Sequence, residues 1–457
     1  MEEKKELIRD YTEGPVLRQL LGFAWPFMLS YMLQTLYNMV DMVVVGRFVG
    51  SVGLSAVSVG ADLMSLYTFI AFGFCNAGQI LISQFIGLRD RASVGRVVAA
   101  MIKVVAVSAV VITAVGMVCA QTFLQWLQVP EEAAEQCLAY TRCCTAGCLF
   151  VFGYNMVCAI LRGMGDSKRP MLFIGVAAVV NIVLDIVFVS QGMGAFGAAL
   201  ATVIGQGVSF VWAVIFLLRN RGRLGYELNA RTFRESGRVL GSVLKLGFPL
   251  VLQNVAVTVS TLVVVGYVNS YGLTASAVTG VGNKLTTLVL VVTIGMMQAT
   301  NTFVGQNFAA RRFERVRKVL ADTLGITMIM AAILSVIMLA APEWVFGLFT
   351  DDEAVIAMSG VYAPVAVLNF VGAAVRSPAT SLCNGMGFVR MNLILGLLDG
   401  VVMRIGLCLL LGLGLGLGVP GFWYGSAAAS FVYFVVMFPY FLSGRWKNRQ
   451  PPAAACA

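Results

Sequence analysis

Two aspartates stand where a charge is costly. Asp41 lies in NMVDMVVVG and Asp185 in NIVLDIVFV, each inside an apolar stretch. An ionisable group in such a stretch is rare and marks a functional site by default. Asn181 is four residues before Asp185, so the two share one helix face. Thr202 lies near the start of the next apolar stretch. Two carboxylates, an amide and a hydroxyl make a hard oxygen set, suited to Na⁺ or protons rather than soft metals. Two such carboxylates titrate as one coupled unit, able to share a proton and exchange it for a cation. The alternative is that each only hydrogen-bonds within a bundle. The chain has no histidine, so imidazole bases, haem ligands and Ser-His-Asp chemistry are excluded. The ten cysteines form no C-x-x-C pair, and most sit in apolar runs. They read as packing residues, not as a disulfide framework or zinc site.

Further charged residues interrupt apolar runs. Asp62 (GADLMSL) and Lys284 (GNKLTTL) occupy answering positions and are expected either to pair as a gate or to stand apart in solvent. Arg376, Asp399 and Arg404 line a cleft or form an internal ion pair, and the internal pair is the expectation. Gln253 and Asn254 are polar candidates for the same cleft. Pro26 and Pro249 fall inside long apolar runs; each removes a backbone hydrogen bond and should kink its helix, as a fixed bend or one that changes with occupancy.

These residues need helices in a membrane to position them. Of 457 residues, 59% are hydrophobic and 12% charged, with a mean hydropathy of +0.86. Soluble domains carry roughly 25% charged residues, so a soluble enzyme or a disordered chain is excluded. A spanning helix needs about 20 apolar residues. Apolar runs, broken at their glycines and allowed single charges, predict about twelve helices near 16–48, 53–87, 94–125, 131–162, 168–190, 195–218, 240–268, 275–309, 314–341, 354–385, 388–413 and 419–443. Lys and Arg concentrate after every even-numbered helix, as at Arg89, Arg91 and Arg96, and at Arg311 through Lys318. Two odd-numbered connections are acidic instead, with Glu131, Glu132 and Glu135 in one and Asp351, Asp352 and Glu353 in the other. The positive-inside rule then puts both termini in the cytoplasm. The net charge of +10 is a topology signal, not a nucleic-acid patch. The mixed-charge start MEEKKELIRDYTEGP lacks the pattern of a cleavable signal peptide.

The two halves repeat. WPFMLS, MVVVGRFVG, GLSAVSVGADLMSL and ISQFIGLRD are answered by FPLVLQ, LVVVGYVNS, GLTASAVTGVGNKLTTL and VGQNFAARR. Pro26 answers Pro249, Gly60 answers Gly282 and Gln84 answers Gln306. LRGMGDSK answers LCNGMGFVR, and Gly194 and Gly197 answer Gly418 and Gly421. The position answering Asp41 is near Thr261, and Asp185 has no acidic counterpart. Six helices per copy give both copies one orientation, hence a pseudo-two-fold axis along the membrane normal. The expected architecture is an all-α integral membrane protein of two six-helix bundles around a central cleft. The expected divisions are an N-terminal lobe at 1–218, a basic cytoplasmic linker at 219–239, a C-terminal lobe at 240–443 and a cytoplasmic tail at 444–457.

The sequence resembles the multidrug and toxic compound extrusion (MATE) family, nearest its prokaryotic DinF-like branch. The resemblance rests on TEGPVLRQLLGFAWPFMLS, LYNMVDMVVVGRFVG, ISQFIGLRD, LRGMGDSKRP, NIVLDIVFV, GAFGAALATV, LGFPLVLQN and GQNFAARRFERV in that order, from about Thr12 to Ser443. It implies a cation site at Asp41, Asn181, Asp185 and Thr202. It implies export of varied, often cationic and aromatic compounds across the inner membrane, driven by H⁺ or Na⁺ entry and needing no cofactor, by a monomer that is not an enzyme. Where relatives carry an acidic residue in helix 7, this chain has PLVLQNVAVTVS, without a carboxylate. A flippase for lipid-linked sugars is the alternative; it would need a cationic cleft, for which Lys284, Arg376 and Arg404 are candidates.

Overall fold

Glycine sets the first turn of each repeat. Gly50 and Gly272 precede helices with φ of 81° and 105°, a left-handed backbone that a side chain would strain. In this computed structural model, which describes residues 7–126, 129 and 131–455, the chain is helical throughout, without a strand among the described residues. In lipid, only helices or closed barrels satisfy every backbone polar group.

The first helices are α1 (Val16–Phe48), α2 (Ser51–Gly87), α3 (Arg91–Trp126), α4 (Glu131–Ala146), α5 (Cys148–Gly163), α6 (Lys168–Ser190) and α7 (Gly194–Asn220). There follow α8 (Ala230–Glu235), α9 (Gly237–Asn269), α10 (Leu273–Ala309), α11 (Phe313–Ala340), α12 (Pro342–Gly347), α13 (Glu353–Ala357) and α14 (Ser359–Met386). The eleventh expected span is composite. It runs through α15 (Val389–Leu397), a π-helix at Leu398–Ile405, α16 (Gly406–Leu409) and a second π-helix at Leu410–Gly414. α17 (Val419–Ala429) and α18 (Val432–Leu442) complete the bundle.

Among the described residues, ten helices are long and apolar enough to cross a membrane, and α4 with α5, bent by 47° at Gly147, make an eleventh. Twelve spans were expected. The remaining one, α1, has the length, at 33 residues. Its apolarity is lowered by Gln34, Asn38, Asp41 and other polar groups, several of which serve the site below. The chain is a multi-pass membrane protein. Large apolar side chains are exposed along its outer faces, as at Val107, Val110, Val111, Val115 and Val118 on α3, where lipid rather than water is the apolar partner.

The chain divides into two compact units, and neither boundary falls in the basic linker. The first comprises 25–251 with 7–10, and the second comprises 11–24 with 252–455. The cuts lie in α1 beside Pro26 and in α9 beside Pro249, and both helices run on through their prolines. Within the first unit, α2 packs on α3, α4 and α5, and α6 packs on α7. Val44, Val45, Ala56, Val57, Tyr140 and Ala198 form a core there. Within the second, α10 packs on α14 and α11, around Val278, Phe346, Tyr362, Phe422 and Trp423. Residues 11–15, before α1, belong here: Tyr11 stacks on Phe303 at 4.1 Å, and Arg315 donates to the carbonyls of Tyr11 and Gly14. The tail is folded down as well, with Trp446 fully buried beside Phe313 and Phe441.

The basic linker is also packed structure. Lys103 Nζ on α3 donates to Phe233 O at 2.6 Å and to Ser236 Oγ at 3.0 Å. Asn229 caps α8 by accepting from Thr232 N. Lys103→Met removes the tether while keeping the apolar stem. It is expected to raise amide hydrogen exchange at residues 230–236 by roughly tenfold, for a charged hydrogen bond of about 1.5 kcal/mol. Unchanged exchange there would refute the tether.

Candidate functional site

α6 and α7 are held close by a missing side chain. A Cβ at Gly205 would stand 3.0 Å from Ala177 O and 3.3 Å from Asn181 Cβ, so glycine lets α7 lie against α6 at this level without pushing either group back. α6 then presents Asn181 and Asp185 one turn apart, and α7 presents Thr202. α1 brings Asp41 to the same place. Asn181 Nδ2 donates to Thr202 Oγ1 at 3.2 Å, and Thr202 Oγ1 donates to Asp41 Oδ2 at 3.4 Å. The Asp41 and Asp185 carboxylates interact directly. All four residues expected from the sequence are thus together in the first unit.

The cluster is short of donors. Asp185 is fully buried, Asn181 is 3% exposed and Asp41 5%. Both oxygens of Asp185, Oδ1 of Asp41 and Oδ1 of Asn181 are buried with no hydrogen-bond partner. Ionised carboxylates only accept, and buried charges without partners are strongly unfavourable. The four side chains thus bring together hard oxygen acceptors. Tyr37 lies beside Asp41, Gln34 and Gln206, and Tyr140 lies near both aspartates. The sequence reading missed these residues, although Tyr37 is four before Asp41 and Gln206 four after Thr202, the same spacing that linked Asn181 to Asp185.

A second polar cluster lies in the other unit. Asp399 is fully buried and faces two arginines: Arg376 Nη2 at 2.9 Å from Oδ2 and Arg404 Nη2 at 3.1 Å from Oδ1. On an α-helix, residues five apart point about 140° away from each other. The π-helix over Leu398–Ile405 brings Asp399 and Arg404 into line. Arg404 Nη1 also donates to Ser426 Oγ at 3.0 Å, and the Arg376 guanidinium lies 4.9 Å from the Tyr433 ring centroid. Gln253 Nε2 donates to the Tyr433 hydroxyl. The internal ion pair is therefore present, and it holds both arginines. Asn254 is half-buried on α9 and its carbonyl accepts from Thr258. Asp62 is exposed on α2, and Lys284 is exposed on α10 with its Nζ 6.0 Å from the Phe349 ring centroid.

The repeat seen in the residues is also a repeat of family match. The family model MatE matches residues 26–187 and again 249–410. The chain belongs to the MatE family. The two matches are displaced by 249 − 26 = 223 and 410 − 187 = 223 residues, the displacement of Pro26 from Pro249. Among its relatives, this MatE chain is 29% identical over 308 residues to the probable multidrug resistance protein YpnP of Bacillus subtilis (strain 168), covering 67% of this chain and 68% of that protein. It is 24% identical over 445 residues to the probable multidrug resistance protein YoeA of the same strain, covering 96% of each. The crystal structure of MATE in complex with MaL6 superposes with a TM-score of 0.87 at 23% identity, over 96% of this chain and 99% of that one. That likeness concerns the fold.

Proposed function

We propose that this MatE protein is a secondary antiporter that exports varied, often cationic and aromatic, small molecules in exchange for entering H⁺ or Na⁺. The observation that carries this reading is the donor-poor oxygen cluster of Asp41, Asn181, Asp185 and Thr202. The names of YpnP and YoeA support the class of cargo. The cation is taken where it is abundant and favours the drug-free state; drug binding on the other side favours its release. Coupling requires only that cation and drug prefer different states, and the free-energy link is reciprocal. A potential of about 100 mV adds roughly 2.3 kcal/mol for each charge moved inward. The Lys and Arg distribution supports a plasma-membrane orientation with both termini cytoplasmic.

Purified protein in liposomes loaded with a cationic dye tests the reading. Either a Na⁺ gradient or a pH gradient, imposed separately, is expected to drive dye movement, and the effective one names the ion. Dye that stays put under both gradients would sink the drug-exporter reading and turn attention to lipid-linked sugars.

A further inference from the structure

The second unit holds a charge-inverted counterpart of the Asp41–Asp185 cluster. Asn181 lies six residues before the end of the first family match (187 − 181 = 6), and Arg404 lies six before the end of the second (410 − 404 = 6). Gly194 and Gly197 answer Gly418 and Gly421 at a displacement of 224, which places Ser426 opposite Thr202 (202 + 224 = 426). The Asn181–Thr202 hydrogen bond is thus answered by the Arg404–Ser426 hydrogen bond. Where the first unit gathers two carboxylates, the second gathers two guanidiniums on one carboxylate.

The arginines are not satisfied by that carboxylate. Asp399 carries one negative charge against two positive ones, which leaves one positive charge over. Each arginine meets Asp399 through one Nη, so neither planar fork is filled side-on as a bidentate pair would fill it. Arg376 reaches Asp399 Oδ2 off the hydrogen-bonding direction, and that oxygen has no hydrogen-bond partner. Arg404, 8% exposed, has its Nε buried with no acceptor. The Arg376 side chain is 26% exposed, which leaves a way in. The local π-helix keeps the arrangement, as π segments do at functional sites.

We infer that Arg376 and Arg404 form a binding site for the carboxylate of organic acids. A surplus of one charge matches a monoanion; a phosphate monoester carries −1.5 to −2 and would overshoot it. The guanidinium fork matches a planar carboxylate, and the fully buried Tyr433 ring packs against the Arg376 guanidinium and holds it in place. This inference does not rest on the coupling role of Asp41 and Asp185, since binding is read without any gradient.

The test compares 1-naphthoate with its neutral amide, 1-naphthamide, and with inorganic phosphate, on the purified full chain in nanodiscs. Wild type is expected to bind the acid at least about tenfold more tightly than the amide, the size of one charge-assisted hydrogen bond. Arg404→Gln, which leaves Arg376 and Asp399 in balance, is expected to remove that preference. Asp399→Asn, which leaves both arginines uncompensated, is expected to increase it. On the unaltered protein, naphthoate and not naphthamide is expected to slow phenylglyoxal labelling of Arg376, read by mass spectrometry. That last readout stands even if a variant fails to fold. Equal binding of acid and amide, undiminished acid preference in folded Arg404→Gln, unprotected Arg376, or binding of inorganic phosphate with no response to naphthoate would each overturn the assignment.

Discussion

Asp185→Asn is expected to yield a protein that is more stable and does not couple. Both Asp185 oxygens are buried without a donor and face Asp41. An asparagine keeps the shape, removes one of two like charges and offers an amide N–H to the Asp41 carboxylate. One new hydrogen bond to a charged group stabilises by about 1.5–3 kcal/mol, so Tm in detergent without Na⁺ should rise. The same change removes an oxygen charge that a cation needs. Gradient-driven dye movement in liposomes should fall by roughly 5–150-fold, the range of ordinary coupling free energies. Asp41→Asn should lose coupling equally, with less stabilisation, because Asp41 already accepts from Thr202. The paired readout matters. A variant that is less stable and still coupled would show that Asp185 is only a packing residue whose hydrogen bonds the lattice of helices supplies.

Gly60→Val is expected to be the most damaging change outside the carboxylates. A Cβ at Gly60 would stand 2.6 Å from Cε1 of Tyr140, a buried ring. Overpacking of this kind costs about 1–3 kcal/mol, and here it also displaces a ring that lies near both aspartates. Lower Tm and loss of gradient-driven transport should therefore appear together. Gly282 meets Tyr362 in the second unit, there at the hydroxyl end of the ring, with a Cβ 2.6 Å from Cε1. The two contacts are one repeat apart, since 282 − 60 and 362 − 140 are both 222. Gly282→Val should lower Tm by a similar amount while leaving any cation response of the first unit in place. Loss of cation response in Gly282→Val at intact fold would refute the division of roles between the units.

Much of the helix plan is legible because apolar runs and basic connections are local properties. The expected span 168–190 coincides with α6, and 16–48 with α1. Breaks within spans were less legible. The 47° bend at Gly147 lies inside one expected helix, where a glycine reads equally as a packing residue. The basic segment after α7 looks like a linker by composition, yet Lys103, far along the chain, ties it to α3. The mixed-charge segment before α1 likewise gives no sign of packing, whereas Tyr11 stacks on Phe303.

The residues by themselves determined the membrane class, the two-fold repeat and the membership of Asp41, Asn181, Asp185 and Thr202 in one candidate site. Charge in an apolar run marks Asp41 and Asp185, and a four-residue helical spacing adds Asn181, because both are written in consecutive residues; Thr202 joined them through the family resemblance. Only the tertiary structure decided what each group meets. It left the Asp185 oxygens without donors, and it set Asp399 between Arg376 and Arg404 through a π-helix that no apolar periodicity announces. The reason is physical. Burial and hydrogen-bond partners depend on neighbours that are distant in sequence, and a one-residue change in helical pitch turns a side chain that α-helical spacing would point elsewhere.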